Sequence, residues 1–167
     1  MPERETNNAR RRLPTREQLA VWRAYTETSE IVRARAASQL QRAAGLSTGD
    51  YQVLLALTEA EDAGLRSSEL ATRVNWERSR LSHHLGRMEK RGLVRREECP
   101  DDSRGANAVI TDAGARAFRK ASIPHLEAVR QLFIDALTPE QLTHLAQVMA
   151  SLRDHLELPP VAGNVNE

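Results

Sequence analysis

Apolar residues recur at three- and four-residue steps along most of this chain, a pattern that predicts six helices. The first begins at the capping box Thr15-x-x-Gln18 and ends at Gly45, where a left-handed glycine can stop a helix. Further helices are predicted from five other starts: Ser47, Ser67, Glu77, Thr111 and Thr138. Pro124 lies inside the fifth helix, and an internal proline costs about 3 kcal/mol. A kink or break is therefore expected near Ile123.

The helix predicted at about 77–91 has two different faces. Leu81, Leu85 and Met88 form an apolar stripe at steps of four and three residues. The other faces carry small, hydroxyl-bearing or cationic residues and one histidine; they are Ser79, Arg80, Ser82, His83, Gly86 and Arg87. Small residues allow close approach to the floor of a DNA groove, and arginine can donate two hydrogen bonds to guanine. This composition favours a DNA-reading helix over an ordinary surface helix.

Short strands are predicted after that helix. Residues 93–98 and 107–110 flank a loop at 100–105 that is rich in Asp, Pro and Gly, as hairpin loops are. Residues 65–66 are expected to form a minimal third strand. Two short helices followed by a charged hairpin describe a winged helix-turn-helix. The predicted fold class is mainly α with a small β-hairpin wing, joined to a helical dimerisation domain.

Charge is distributed unevenly along the chain, although the net charge of the whole is only +1. The segments 1–44 and 73–110 carry +4 and +3, whereas 45–72 and 111–167 carry −4 and −2. Positive charge therefore gathers at the N-terminus and around the predicted DNA-reading helix, as contact with phosphate requires. Solvated, arginine-rich helix faces are the alternative interpretation of the same pattern.

Cys99 is the single cysteine, which rules out an internal disulfide and suits a reducing cytoplasm. No apolar run approaches the length of a membrane span. The basic residues Arg10–Arg12 are not followed by the apolar segment of a secretory signal. We therefore expect a cytoplasmic protein without a membrane partner, with a disordered basic arm at 1–14 and a flexible tail at 158–167.

Five short motifs occur in a characteristic order and spacing. They are Ser-Glu-Leu-Ala at 68–71, Arg-Met-Glu-Lys-Arg-Gly-Leu-Val at 87–94, Asp-Asp-Ser-Arg-Gly at 101–105, Ile-Thr-Asp-Ala-Gly at 110–114 and Leu-Thr-Pro-Glu-Gln-Leu at 137–142. Together they resemble the MarR (multiple antibiotic resistance regulator) family of bacterial transcription factors. The resemblance covers roughly residues 15–157.

The resemblance implies a two-fold symmetric homodimer that binds palindromic duplex DNA. Residues 15–46 and 111–157 would form the dimerisation helices, and 47–110 the DNA-binding domain, with its wing at about 93–110. The apolar stripes of the end helices support pairing independently, because they exceed what a thin three-helix module can cover. The residues expected at the dimer interface are Leu19, Leu132, Phe133, Leu137, Leu145, Val148 and Leu152.

Two groups of DNA-contact candidates follow. Those on the recognition helix are Arg78, Ser79, Arg80, Ser82, His83 and Arg87. Those on the hairpin and at the preceding helix start are Arg95, Arg96, Asp102, Arg104, Ser67 and Ser68. The resemblance implies that Arg104 enters the minor groove from the wing tip and that Asp102 orients its guanidinium. Arg95 and Arg96 alternate sides of a strand, so only one faces phosphate. The two serines are included because helix N-termini bind phosphate through backbone amides.

The resemblance further implies a small aromatic or anionic effector that loosens the DNA complex. Trp22, Tyr25 and Tyr51 are the candidates for its pocket, with core or dimer packing as the alternative role for these rings. No cofactor is predicted. His83 and His84 point about 100° apart on a helix, so no metal site is predicted from them.

The leading functional hypothesis is a sequence-specific repressor that a small effector releases from DNA. One alternative is a thiol-based redox sensor using Cys99, although peroxide-sensing members carry their reactive cysteine in the first helix. The acidic neighbours Glu97 and Glu98 also disfavour the thiolate. A winged-helix interaction module without DNA is a second alternative, which the arginine density disfavours. An enzyme is disfavoured because the chain has no glycine-rich cofactor loop and no triad-like grouping.

Overall fold

The computed structural model describes residues 13–60, 64–99 and 102–158, and the side chains of residues 98, 99 and 102–105 lie outside that description. The helices in these ranges are α1 (Arg16–Ala44), α2 (Thr48–Thr58), α3 (Ser67–Arg73), α4 (Arg78–Lys90), α5 (Asp112–Leu132) and α6 (Pro139–His155), with a 3₁₀ turn at Ile134–Ala136. The strands are β1 (Gly64–Arg66), β2 (Val94–Cys99) and β3 (Asp102–Ile110). The predicted class, mainly α with a small β-sheet, is confirmed. The predicted arm and tail fall almost entirely outside the described residues.

Local sequence signals set several helix ends as predicted. The Ser47 hydroxyl accepts from the Asp50 amide, and the Asp50 carboxylate accepts from the Ser47 amide, which completes a capping box for α2. Thr138 forms the equivalent box for α6. Gly45 follows α1 with a positive φ of 67°, which confirms the predicted left-handed stop, and Asn75 ends α3 in the same way with a φ of 54°.

Of the kink or break predicted near Ile123, the break does not occur. The helix runs from Asp112 to Leu132 as one element with Pro124 inside it. Ala121 and Ala128 are buried on either side of the proline, and α5 packs against α2. We attribute the unbroken helix to this packing, which offsets the hydrogen bond that the proline removes.

The three strands form one antiparallel sheet in the order β1-β3-β2. Ala108 in the centre of β3 pairs with Leu65 on one side and with Arg96 on the other. β3 begins at Asp102, five residues earlier than the predicted start at Asn107. The segment between them has weak intrinsic strand preference, and its pairing with β2 extends the strand.

A continuous hydrophobic core joins helices α2, α3 and α4 to the sheet. Its fully buried side chains are Leu40, Leu46, Val53, Leu54, Leu57, Leu70, Leu81, Leu85, Met88 and Val94. Gly114 fixes how α5 leaves the sheet, because a Cβ at this position would collide with the Leu93 carbonyl. Thr111 caps α5 and also donates its hydroxyl hydrogen to the Gly92 carbonyl at 2.6 Å.

The chain divides into two compact units, with the boundary after Ala34 inside α1. In the first unit, Thr15 and Gln18 form the predicted capping box at the start of the helix. The second unit contains the core, the sheet and helices α2 to α6.

Candidate nucleic-acid interface

The helix α4 is held by a buried apolar face. Leu81, Leu85 and Met88 are each no more than 1% exposed, and His84 is buried beside them. The predicted stripe is therefore confirmed as the inner face of this helix. Because the stripe fixes the rotation of α4 about its axis, it also decides which side chains point away from the core.

The recognition-helix candidates all lie on the opposite side. The exposed residues are Arg78, Ser79, Arg80, Ser82, His83 and Arg87. Gly86 between them is partly buried, and a Cβ there would make only an ordinary contact, with the Arg96 Nη2 at 4.0 Å. Within the described ranges, Arg80 and Arg87 have no carboxylate partner, so their positive charges remain available to an anionic ligand.

A buried carboxylate ties α4 to the start of α2. Asp50 is 2% exposed, and its Oδ2 accepts a hydrogen bond from the Arg91 Nη1 at 2.7 Å. Its Oδ1 lies 3.0 Å from the His84 Nε2. Arg91 also donates from Nη2 to the Gly45 carbonyl at 2.8 Å. The end of α4 is therefore attached both to the first turn of α2 and to the residue that ends α1.

The protonation states of this cluster follow from its environment. Burial raises the pKa of Asp50, but hydrogen bonds from Arg91 and Ser47 outweigh it and hold the pKa below its ordinary value of 3.8. Burial lowers the pKa of His84 from its ordinary value of 6.5, and the opposing charge of Asp50 does not cancel the effect. At neutral pH the cluster thus contains a carboxylate, a guanidinium and a neutral imidazole.

Trp76 and His84 form an aromatic pair at the start of α4. Their ring centroids are 5.0 Å apart in an edge-to-face arrangement. The Arg80 guanidinium carbon lies 4.2 Å from the centre of the Trp76 ring, and the Arg87 Nη2 donates to the His84 Nδ1 at 2.9 Å. A Cβ on Gly49 would lie 2.8 Å from the Trp76 ring and 2.9 Å from the His84 ring, so the first turn of α2 must carry a glycine for this close approach.

A groove between α3 and α4 opens beside these residues. Its volume is about 520 Å³. The lining residues are Ser68, Ala71, Thr72, Asn75, Trp76, Glu77, Arg78 and Arg80. Ser68 is exposed there, as expected for a residue that approaches phosphate. Ser67 is partly buried, and its hydroxyl donates to the Ala106 carbonyl at 2.8 Å instead of capping α3.

The two arginines of β2 differ in their surroundings, as their alternation predicts. Arg96 folds back on α4, where its Nη2 donates to the Ser82 carbonyl at 2.8 Å and its Nε lies 3.8 Å from Glu89. Arg95 is more exposed and pairs with Glu97 at 2.7 Å. Arg96 therefore joins the hairpin to the recognition helix. The side chains of the predicted wing-tip pair Asp102 and Arg104, and of the redox candidate Cys99, lie outside the described residues.

The predicted dimer-interface residues remain incompletely buried within the single chain. Leu19, Phe133, Val148 and Leu152 are exposed, while Leu132, Leu137 and Leu145 are partly buried. None of the residues of α6 is buried. A contiguous apolar stripe that stays exposed marks an interaction surface.

The three aromatic residues predicted for the effector pocket have different environments. Trp22 and Tyr25 are exposed, with ring centroids 5.9 Å apart. Tyr51 is buried against Phe118 and His125, at ring distances of 5.1 and 4.4 Å. Burial also lowers the pKa of His125. Tyr51 thus contributes to the core, and the effector pocket stays a prediction.

The described ranges contain no group of three or more His, Cys, Asp or Glu side chains arranged to hold a metal ion. They also contain no helix that is both long and apolar enough to cross a membrane.

Sequence reasoning missed the cluster beneath α4. Nothing in the local patterns brought Asp50, His84, Arg91 and Gly49 together. The glycine was the one available signal, since a glycine inside a helix is destabilising unless close packing requires it.

Comparison with known proteins agrees with this geometry. The family model described as "MarR family" matches residues 44–105, which include α2 to α4 and most of the hairpin. The chain is 25% identical over 122 residues to the transcriptional repressor MprA of Escherichia coli, covering 72% of this chain and 69% of that protein.

Two solved structures are more similar. Sco3205, a MarR family transcriptional regulator from Streptomyces coelicolor solved in complex with DNA, is 40% identical, with a TM-score of 0.82 and coverage of 93% of this chain and 96% of that chain. AbsC, a MarR family regulator from the same organism, is 39% identical, with a TM-score of 0.82 and coverage of 87% and 98%. The chain therefore belongs to the MarR family of transcriptional regulators.

Proposed function

We propose that this chain forms a homodimer that binds palindromic duplex DNA through α4 and the β2–β3 hairpin. The observation that carries the proposal is the arrangement of α4. Its buried stripe turns three arginines, two serines and a histidine outward, and the two arginines Arg80 and Arg87 have no carboxylate partner among the described residues. A helix of this kind fits the major groove of B-DNA, which is about 12 Å wide. The DNA complex of Sco3205 supports the same partner for this chain.

Dimerisation is supported by the apolar side chains that the single chain leaves unburied. Val148 and Leu152 lie one turn apart on α6 and are 52% and 44% exposed. A second copy would bury them and would place two recognition helices on half-sites about 10 bp apart. The proposed DNA partner also implies that the protein acts in the cytoplasm.

Repression and release by an effector form the finer part of the proposal. The similarity to a named transcriptional repressor supports the direction of regulation. The exposed aromatic pair Trp22 and Tyr25 supports a small aromatic or anionic effector, because two neighbouring rings offer a stacking surface. Such an effector would lower DNA affinity by binding better to a conformation that cannot engage both half-sites.

The decisive experiment selects bound sequences from random duplex DNA with the full-length protein. The expected result is an enriched palindrome, with an electrophoretic shift that contains two protein chains. A selection without any enrichment would contradict the proposal. The selected operator, placed upstream of a reporter, should lower expression when the protein is present, and higher expression would contradict repression.

A screen for release follows on the same operator. Aromatic acids, phenols and purines are added to the complex, and DNA dissociation is followed by fluorescence anisotropy. A compound that releases wild-type protein should act more weakly on Trp22→Ala. Equal release from both would remove Trp22 from the effector site.

A further inference from the structure

We infer that Trp76 and His84 are positioning residues that hold the Arg80 and Arg87 guanidinium groups in place for DNA. The inference rests on the proposed function and extends it to two residues that do not themselves need to touch DNA. Trp76 is half-buried and His84 is buried, whereas both arginines are exposed. Each arginine therefore has an inner partner that fixes it and an outer side left for a ligand.

The four side chains form one continuous row. Arg80 stacks on the Trp76 ring at 4.2 Å, Trp76 meets the His84 ring edge-to-face at 5.0 Å, and His84 accepts a hydrogen bond from Arg87 at 2.9 Å. Movement of either ring would therefore displace at least one guanidinium. The first turn of α2 packs against both rings at Gly49, which ties the row to the core.

The spacing of the two arginines suits a repeating anionic ligand. Arg80 and Arg87 are seven residues apart, so they lie on nearly the same side of α4 and about 10 Å apart along its axis. That separation is close to the width of the major groove, about 12 Å. Two fixed cations at this distance can contact separate phosphates or base edges of one duplex, which a single mobile arginine cannot do.

The chemistry of His84 explains how it holds Arg87. A guanidinium can only donate, so the His84 Nδ1 must be the acceptor and carries no proton. The proton of the neutral ring is then on Nε2, which faces the Asp50 Oδ1 at 3.0 Å. Asp50 is itself held by Arg91. The charged groups around His84 are thus Asp50 from α2 and Arg80 and Arg87 from its own helix. In this tautomer the bare Nδ1 faces the Arg87 donor and the protonated Nε2 faces the carboxylate.

Holding the arginines in advance should improve affinity because less side-chain freedom is lost on binding. The interaction free energy of a guanidinium stacked on an aromatic ring at a partly exposed site corresponds to about a two- to five-fold change in affinity. We expect an effect of that size when the Trp76 ring is removed.

A double-mutant cycle tests the inference with the selected operator, using anisotropy at fixed salt. Trp76→Leu should weaken binding about two- to five-fold in the wild-type background and by less than half that factor in the Arg80→Ala background. Trp76→Phe keeps a ring face and should recover most of the loss. Urea unfolding of each variant confirms that the protein remains folded under the binding conditions.

Arg78 offers a matched control, because it is exposed at the start of the same helix. The effect of Trp76→Leu should be the same with and without Arg78→Ala. A second cycle pairs His84→Gln with Arg87→Ala and should show the same dependence on its arginine. If Trp76→Leu weakened binding equally in the wild-type and Arg80→Ala backgrounds, its role would be structural and the inference would be overturned. Absence of any sequence-selective binding by the wild-type protein would instead overturn the proposed function.

Discussion

The helices α4 and α6 both carry an apolar stripe, but they bury it to different extents. On α4, Leu81, Leu85 and Met88 are no more than 1% exposed, whereas Val148 and Leu152 on α6 are about half exposed. Beneath α4 lie a charged cluster and an aromatic pair, while none of the residues of α6 is buried. The same spacing of apolar residues thus occurs in α4, whose stripe is fully buried within one chain, and in α6, whose stripe is left partly exposed.

This difference separates the two tasks of the proposed regulator. The helix that we assign to DNA is already packed against the core of the single chain, and its outer residues are polar. The helix that we assign to dimerisation gains its packing only when a second copy is present. Changes at α6 should therefore alter assembly first and DNA affinity as a result, whereas changes around α4 should alter stability or DNA contacts without altering assembly.

The largest effect is expected from two charges on the α6 stripe. Val148→Asp with Leu152→Asp should yield a monomer and reduce operator affinity by about 100-fold or more, because the two half-sites would no longer be bound together. Sedimentation and anisotropy measure the two quantities. The control is Gln147→Asp with Ser151→Asp, which adds the same charges at the same spacing on polar residues. A dimer with unchanged affinity in the stripe variant would show that α6 has another role.

A smaller effect is expected in the cluster beneath α4. Asp50→Asn removes the charge that Arg91 binds, and we expect the free energy of unfolding to fall by about 1–3 kcal/mol. The oligomeric state should not change. Glu59→Gln, at the other end of α2 and exposed, is the control for loss of one negative charge. Equal unfolding curves for Asp50→Asn and wild type would contradict the assigned importance of this ion pair.

The wing-tip prediction concerns Arg104. Arg104→Ala should weaken binding to all operators and reduce the slope of log affinity against log salt concentration by about 1. Arg119→Ala is the control for loss of one exposed positive charge, since Arg119 lies on α5 outside the predicted DNA-contact residues. An unchanged salt slope for Arg104→Ala would refute the wing assignment.

The dependence of stability on pH sharpens the contrast between buried and exposed faces. Because burial lowers the pKa of His84, the unfolded chain takes up a proton first as the pH falls below about 6.5. Stability should be complete above that value and decrease as the pH falls toward the lowered pKa of the folded state. His125 contributes in the same direction.

Urea unfolding at pH 7.5 and 5.5 measures this effect. His84→Gln should reduce the difference between the two conditions, whereas His83→Gln, at the exposed neighbouring position, should leave it unchanged. Asp50 does not contribute to the difference between these two conditions. Its stabilising effect is complete above about pH 3.8 and is lost only as the pH falls below that value. A His84→Gln variant with the full wild-type pH difference would contradict this explanation.

The smallest change in overall affinity is expected at His83. His83→Ala should alter the preferred base at one position of each half-site, because the outer face of α4 carries the readout. A repeated selection from random DNA detects the change. Lys90→Ala, at the far end of the helix, should select the wild-type motif. If His83→Ala selected that motif as well, His83 would no longer be a base-reading candidate.

Local patterns predicted much of this fold. The start and end of α4 were predicted to within one residue, and the capping residues Ser47 and Thr138 were identified correctly. These features depend on side chains three or four residues apart, which the sequence displays directly. The early start of β3 and the unbroken α5 could not be read in this way, because pairing with β2 and packing against α2 determine them.

The support of the candidate site was also hidden from local reasoning. Asp50 and Arg91 are separated by 41 residues, and no short sequence pattern predicts their contact. The capping box explained Asp50 sufficiently on its own, so nothing called for a second role. The exposed face of α4, in contrast, followed from helical geometry once the apolar stripe was recognised.

The tight seat at Gly49 has a consequence for how such a regulator could evolve. With no room for even a methyl group between this position and the two rings, a larger residue at 49 depends on what stands at 76 and 84. A lineage that acquires a larger residue at 49 should first have lost ring volume at one of the other positions. Adaptation to a new binding sequence should therefore proceed through the outward-facing positions of the helix, while residue 49 changes only after residue 76 or 84.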